Sequence, residues 1–216
     1  MRFDPRLRRY VDDRGKVLTP RQVRKEVEDY VEEEEGKAEA EAEKMVAGLI
    51  TAGAFFMFMT QKIEAWHKVA GAIAYGGRSQ MDAERWARIE RIIESELAYL
   101  EGFKQEVAVA TELTAEVVNR AGMYPNAAYS TYENQVRERE KDAGVISGRR
   151  ICEEDAASCD ECVAAATTEY MPLDELSDIG SLQCLNNCRC TIEFSYQGIE
   201  PIQIDQAVYT QSSIVQ

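Results

Sequence analysis

A mainly α chain is expected from three features of the sequence. Apolar residues recur at three- and four-residue steps through much of residues 19–142. Residues suited to capping helix starts stand at Thr19, Asp82 and Thr114. All six cysteines are gathered between Cys152 and Cys190, in two short knuckles, Cys159-Asp-Glu-Cys162 and Cys184-Leu-Asn-Asn-Cys188-Arg-Cys190. The expected architecture is a long-helix body with a small C-terminal cysteine-knuckle (zinc-type) α/β module and extended terminal arms. In residue terms this gives a basic arm at 1–18, a helical body at 19–142, a cysteine-rich module at 149–197 and an extended tail at 198–216.

Residues 1–18 read as an irregular arm ending in the turn Asp12-Asp13-Arg14-Gly15-Lys16. Thr19-Pro20-Arg21-Gln22 then starts a helix, with Thr at the N-cap, Pro at the first helical position and Gln placed to complete a capping box. The four consecutive glutamates Glu32–Glu35 repel one another and are read as a solvated face. Met45–Met59 is the most apolar run in the chain. At fifteen residues it falls short of the roughly 20 that span a bilayer, so it is read as a buried central helix or an oligomer contact, with Gly48 and Gly53 allowing close helix approach.

The pair Glu64-x-x-His67 has the spacing of a di-iron ligand pair. Such sites need a second pair, and His67 is the only histidine. A structural histidine beside Trp66 is the better reading. Gly76-Gly77 ends that helix. Asp82 caps the next, which reaches about Ala110 with Trp86, Ile89, Ile93, Leu97, Leu100, Phe103 and Val107 along one face. Thr114 caps a further helix, with Leu113 and Val118 as a hydrophobic staple, and Pro125 is expected to kink or interrupt it. Gly144–Gly148 links to the cysteine module, and Thr191–Tyr196 alternates as a half-buried strand.

The formal net charge of −14 argues against a general nucleic-acid binder. Its distribution is uneven. Residues 150–216 hold twelve acidic side chains against Arg150 and Arg189, whereas residues 1–25 carry nine basic ones. Met1-Arg2-Phe-Asp-Pro lacks the apolar segment of a secretory signal, and without export cysteines are more often metal ligands than disulfides.

Zinc takes four ligands in a tetrahedron, and two facing knuckles supply them without a large core. Five cysteines are candidates: Cys159, Cys162, Cys184, Cys188 and Cys190. The preferred tetrad is Cys159, Cys162, Cys184 and one of Cys188 or Cys190, with Cys152 outside. Disulfides are the alternative, since six thiols allow fifteen pairings. A catalytic set is not apparent. A cysteine nucleophile normally needs a histidine or another base nearby, and the lone His67 lies far away in sequence; there is no phosphate loop, H-E-x-x-H or G-x-S-x-G.

These residues resemble the tailed-phage minor head proteins of the Mu F-like head-morphogenesis group. The resemblance runs over Arg149-Arg150, Asp155, Cys159-x-x-Cys162, Met171-Pro172-Leu173, Leu176, Ile179-Gly180 and the closing Asn187-Cys188-Arg189-Cys190-Thr-Ile-Glu193. It extends to Trp66-His67, Ala74-Tyr75-Gly76-Gly77, Gln80-Met81, Trp86, Tyr99-Leu100-x-x-Phe103 and Arg120–Tyr132, so that it covers roughly residues 60–196. Many members close on His-Pro-Asn-Cys-Arg-Cys. Here Cys184 stands one residue further back than that histidine, a swap of one zinc-type ligand for another.

What the resemblance implies is a non-enzymatic structural protein of the phage head. It would sit in the virion after assembly in the host cytoplasm and touch capsid or portal proteins or further copies of itself. Some relatives are thought to contact packaged DNA. With so acidic a cysteine module, such contact could come only from the basic N-terminal arm. A capsid decoration or cement protein with a disulfide-stapled module is an alternative. From a different class, so is a phage-encoded cysteine-dependent enzyme or effector, and Met45–Met59 alone would support a membrane-associated protein.

Overall fold

A computed structural model describes residues 1–4, 7–152, 159–182 and 188–196. The chain is mainly helical, with four long helices and small sheets at either end of the helical run. Strands β1 (Arg2–Asp4), β2 (Arg9–Val11) and β3 (Val17–Leu18) precede helices α1 (Pro20–Val46), α2 (Ala52–Tyr75), α3 (Ala83–Val109) and α4 (Ala115–Asp142). Strand β4 (Ser147–Ile151), the short helix α5 (Asp160–Ala165), β5 (Met171–Pro172) and β6 (Thr191–Ser195) follow.

The helix starts are set locally, as expected. Thr19 and Gln22 form a reciprocal capping box, each accepting the other's backbone N–H, at 3.2 and 2.8 Å. Asp82 accepts from Arg85 N at 2.9 Å and Thr114 from Glu116 N at 3.3 Å. Along α1 the buried positions Val23, Val27, Val31, Glu34, Ala38, Ala42 and Met45 follow steps of four, four and three, twice over, an eleven-residue repeat that keeps one seam facing the neighbouring helices. Helix α4 lies against both α1 and α2, whereas α3 rests mainly on α2. Phe55, Phe56 and Phe103 meet edge-on, and Phe103 stacks on Tyr124.

Several expectations change. The run Met45–Met59 is not one buried helix. It is folded at a hairpin, because Gly48 takes a left-handed φ of +71° and Thr51 caps α2 by accepting from Ala54 N. Leu49 and Met57 are consequently exposed, at 75% and 62%, and a Cβ at Gly48 would meet nothing within 4 Å, so close helix approach is not its role. No helix among the described residues is long and apolar enough to cross a membrane. Pro125 is accommodated within a continuous α4.

The glutamate run is not uniformly solvated either. Glu34 is buried, accepting hydrogen bonds from Trp66 Nε1, Lys62 Nζ and Lys37 Nζ at 2.7 Å each. Burial alone would raise its carboxyl, but these bonds and the Lys62 charge outweigh it and hold the group at about 2.

Residues 1–18 also differ from an irregular arm. They form an antiparallel meander, Phe3 opposite Tyr10 and Tyr10 opposite Leu18. Those three side chains are buried, which orders the segment against the base of the bundle. Tyr10 donates to Ala74 O at 2.9 Å, and the Arg139 guanidinium lies 3.7 Å from the Phe3 ring centroid. Here Gly76, at φ +92°, caps α2, and a Cβ on it would stand 1.9 Å from Phe3 N. The expected C-terminal tail at 198–216 lies outside the described residues.

Two predictions follow from this packing. Gly76→Ala should cost about 1–3 kcal/mol in backbone strain and about 1–3 kcal/mol in overpacking against β1, read as a lowered urea midpoint. Stability should also fall on acidification. Burial holds His67 at about 4, below its ordinary 6.5, so the unfolded chain takes the proton first and stability declines as pH drops from 6.5 towards 4. The lowered Glu34 extends that decline from 4.5 towards 2. Urea midpoints measured at intervals between about pH 7 and pH 3 check this, with Glu34→Gln flattening the lower part of the profile.

Candidate metal centre

The cysteine module is built on a three-stranded antiparallel sheet in the order β5-β4-β6. Its central strand pairs Arg149 with Glu193 and Arg150 with Ile192. Strand alternation turns Arg149 outward, where it pairs with Glu193 at 2.5 Å, and turns Arg150 into the module, where it is 1% exposed.

Each sulfur is placed by local chain geometry. Cys159 is the N-cap of α5, and its Sγ accepts the backbone N–H of Cys162 at 3.3 Å. One turn of helix then carries Cys162 inward. Cys188 and Cys190 flank Arg189 in extended chain leading into β6, so both thiols fall on the buried side while Arg189 is exposed. The sulfurs of Cys162, Cys188 and Cys190 lie within 4.8 Å of one another, all buried.

The separation of Cys162 Sγ and Cys188 Sγ is 3.7 Å. That is far beyond a disulfide bond of about 2.05 Å. It agrees with the edge of a tetrahedron whose metal–sulfur bonds are about 2.3 Å, roughly 3.8 Å. The donor set therefore suits a thiophilic ion.

Arg150 is the feature that the sequence reading passed over as more than a signature residue. Its Nη2 lies 3.4 Å from Cys162 Sγ and 3.2 Å from Cys188 Sγ. Its Nη1 donates to Ser177 Oγ at 2.9 Å and approaches Ser177 O and Asp178 O at 3.4 Å. Among the described residues it forms no ion pair with a carboxylate. A buried guanidinium needs a counter-charge, and here the sulfurs are the groups placed to supply it. The Cys188 thiol and burial push Cys190 up, while Arg150 pulls it the other way. The available signal was compositional: Arg150 is one of two basic residues in an acidic third of the chain.

The expected tetrad is thus partly rearranged. Cys162 lies beside both Cys188 and Cys190, so that both, and not one alone, are placed where a metal could be held. Strand alternation sends the two thiols the same way, which counting ligands alone had not considered. Cys159 packs against the same small core, as does Cys152, but neither belongs to the three-sulfur group. Cys184 lies outside the described residues.

His67 is structural in its surroundings. It is buried in the bundle with Nδ1 2.7 Å from Thr131 Oγ1, while Glu64 faces Lys68. A separate cleft of about 470 Å³ between α3, α4 and the turn at 178–181 contains no cysteine. Burial alone pushes Glu96 on its wall up to about 7.

The chain matches no protein-family model, no curated protein and no solved structure.

Serine substitution of Cys162, Cys188 or Cys190 should each abolish thiolate-to-cobalt charge-transfer absorption in Co²⁺-loaded protein. Cys152→Ser should leave that absorption intact. Absorbance in the charge-transfer band of the cobalt-loaded protein reads both results.

Proposed function

We propose that the chain is a structural component of a tailed-phage head, a minor capsid or head-morphogenesis protein whose cysteine module is held by zinc. The observation that carries the metal assignment is the buried Cys162–Cys188–Cys190 cluster with Arg150 as its counter-ion. A disulfide between two of these sulfurs is neutral and leaves only the third thiol to offset the guanidinium. A divalent ion held by thiolates carries net negative charge and balances it. Cys159 is the fourth ligand in this reading, because its C-x-x-C turn already delivers Cys162.

The phage-head assignment rests on the signature residues between Arg149 and Glu193 and on the helical block from Trp66 to Tyr132. A structural role is supported by how the site is made. The sulfurs are closed off from solvent, Arg150 is spent on them, and the histidine lies in the bundle core. The contacts with capsid or portal proteins are assigned to the far end of the bundle, where Leu49, Met57 and Val109 are exposed. Any contact with DNA is assigned to the N-terminal sheet, whose Arg2, Arg9, Arg14 and Lys16 are exposed on an otherwise acidic chain.

Purified particles test the assignment directly. The chain should co-purify with the major capsid protein at fixed stoichiometry, and extracted chain should release about one zinc as its thiols become reactive. Absence from both particles and assembling heads would remove the head assignment. Thiols that react fully before any metal is released would remove the zinc.

A further inference from the structure

The residues that hold Arg150 also hold the module to the bundle. On one side, Arg150 grips Ser177 and Asp178 through Ser177 Oγ and two backbone carbonyls. On the other, α4 grips the same segment. Asn134 brackets Ile179 with two bonds, Oδ1 accepting from Ile179 N at 2.9 Å and Nδ2 donating to Ile179 O at 3.0 Å. Arg137 donates to Leu176 O at 3.0 Å and pairs with Asp178. Leu176 and Ile179 are buried in the small core that also contains Cys162, Cys188 and Cys190. The segment 176–179 therefore runs as a splint between the sulfur cluster and α4.

Resting on the zinc reading above, we propose that Arg150 is a positioning residue that couples metal occupancy to the docking of the module on α4. With the ion in place, the thiolate cluster balances the guanidinium. Nη2 then stays on the sulfurs, and Nη1 stays on Ser177 and Asp178. Loss of the ion ends that charge balance. A guanidinium that is 1% exposed and, among the described residues, has no carboxylate paired with it must then find water or another anion. In leaving, it withdraws three bonds from Ser177 and Asp178, the two residues immediately before the Ile179–Asn134 contact. The bundle core has no share in these bonds, so loosening is confined to the joint.

Hydrogen exchange read by mass spectrometry on full-length protein tests the coupling. In the zinc-loaded chain, chelation should speed exchange of peptides covering 176–181 by about tenfold or more, while peptides of α3 and the first half of α4 stay unchanged. Arg150→Met should still give a cobalt spectrum, but its 176–181 exchange should be fast with or without metal. Should that variant fail to fold, Ser177→Ala removes the 2.9 Å acceptor alone and should give an intermediate chelation response. Exchange at 176–181 that ignores chelation in zinc-loaded wild type would overturn the coupling and leave the zinc staple standing. Exchange that rises equally across the whole bundle would overturn it too, because the ion would then support the entire fold. A chain that never binds zinc or cobalt removes the metal reading itself, a distinct failure.

Discussion

The buried Arg139–Glu140 pair near the end of α4 joins three parts of the chain that are far apart in sequence. Arg139 donates to Glu140 Oε1 at 2.6 Å and to Ala74 O at 2.5 Å, bonds the Tyr10 hydroxyl and covers the Phe3 ring. Glu140 accepts from Tyr196, just past β6, at 3.4 Å and lies 3.9 Å from Arg8. The N-terminal meander, the end of α2 and the last strand of the cysteine module thus share one ion pair. Such a pair adds little net stability over a well-packed apolar substitute, but removing one partner strands a buried charge at a cost of about 3–5 kcal/mol. It therefore acts as a constraint on arrangement: the sheets at both ends of the helical run must be in place for α4 to finish as it does.

Arg150 poses the same electrostatic problem and solves it with different chemistry. Arg139 has Glu140 beside it, and Arg24 has Glu133 at 2.6 Å. Arg150 has sulfur. Among the described residues this buried cation faces cysteines and pairs with no carboxylate, which ties its own burial to the state of those cysteines. The outward neighbour Arg149, which pairs with Glu193 and lies 5.2 Å from the Tyr170 ring centroid, shows the ordinary arrangement one residue away.

What the sequence made legible was largely what is decided within one helical turn. The caps at Thr19, Asp82 and Thr114, the stop at Gly76-Gly77 and the strand at Thr191–Ser195 all depend on near neighbours. Glu34 was illegible because its partners Lys62 and Trp66 lie 28 and 32 residues away, so a glutamate run looked like a solvated face. The meander was illegible for a related reason: strands of two or three residues carry almost no pattern and are ordered by burial of Phe3 and Tyr10 on the bundle. At the sulfur cluster, the knuckles were evident from spacing. That Cys188 and Cys190 fall on one buried side was readable from C-x-C alternation, whereas Arg150 required the strand pairing to become visible.

The small core of the module sets how much a bound ion would have to do. Among the described residues its buried members apart from the three cysteines are Val145, Leu173, Leu176, Ile179 and Ile192, and burying a side chain of this size contributes about 1.5–3 kcal/mol before ordering entropy is subtracted. A structural zinc bound to thiolates contributes roughly 10–16 kcal/mol in small metal-folded peptides. A core this slight cannot replace that, and the bonds from Asn134 and Arg137 hold the module in place without filling it. The bundle is the opposite case, with its aromatic cluster and α1 seam complete without any cysteine. Stability is therefore divided unevenly along the chain. The helices hold themselves, while the module has a small apolar core around a sulfur cluster that could hold a metal.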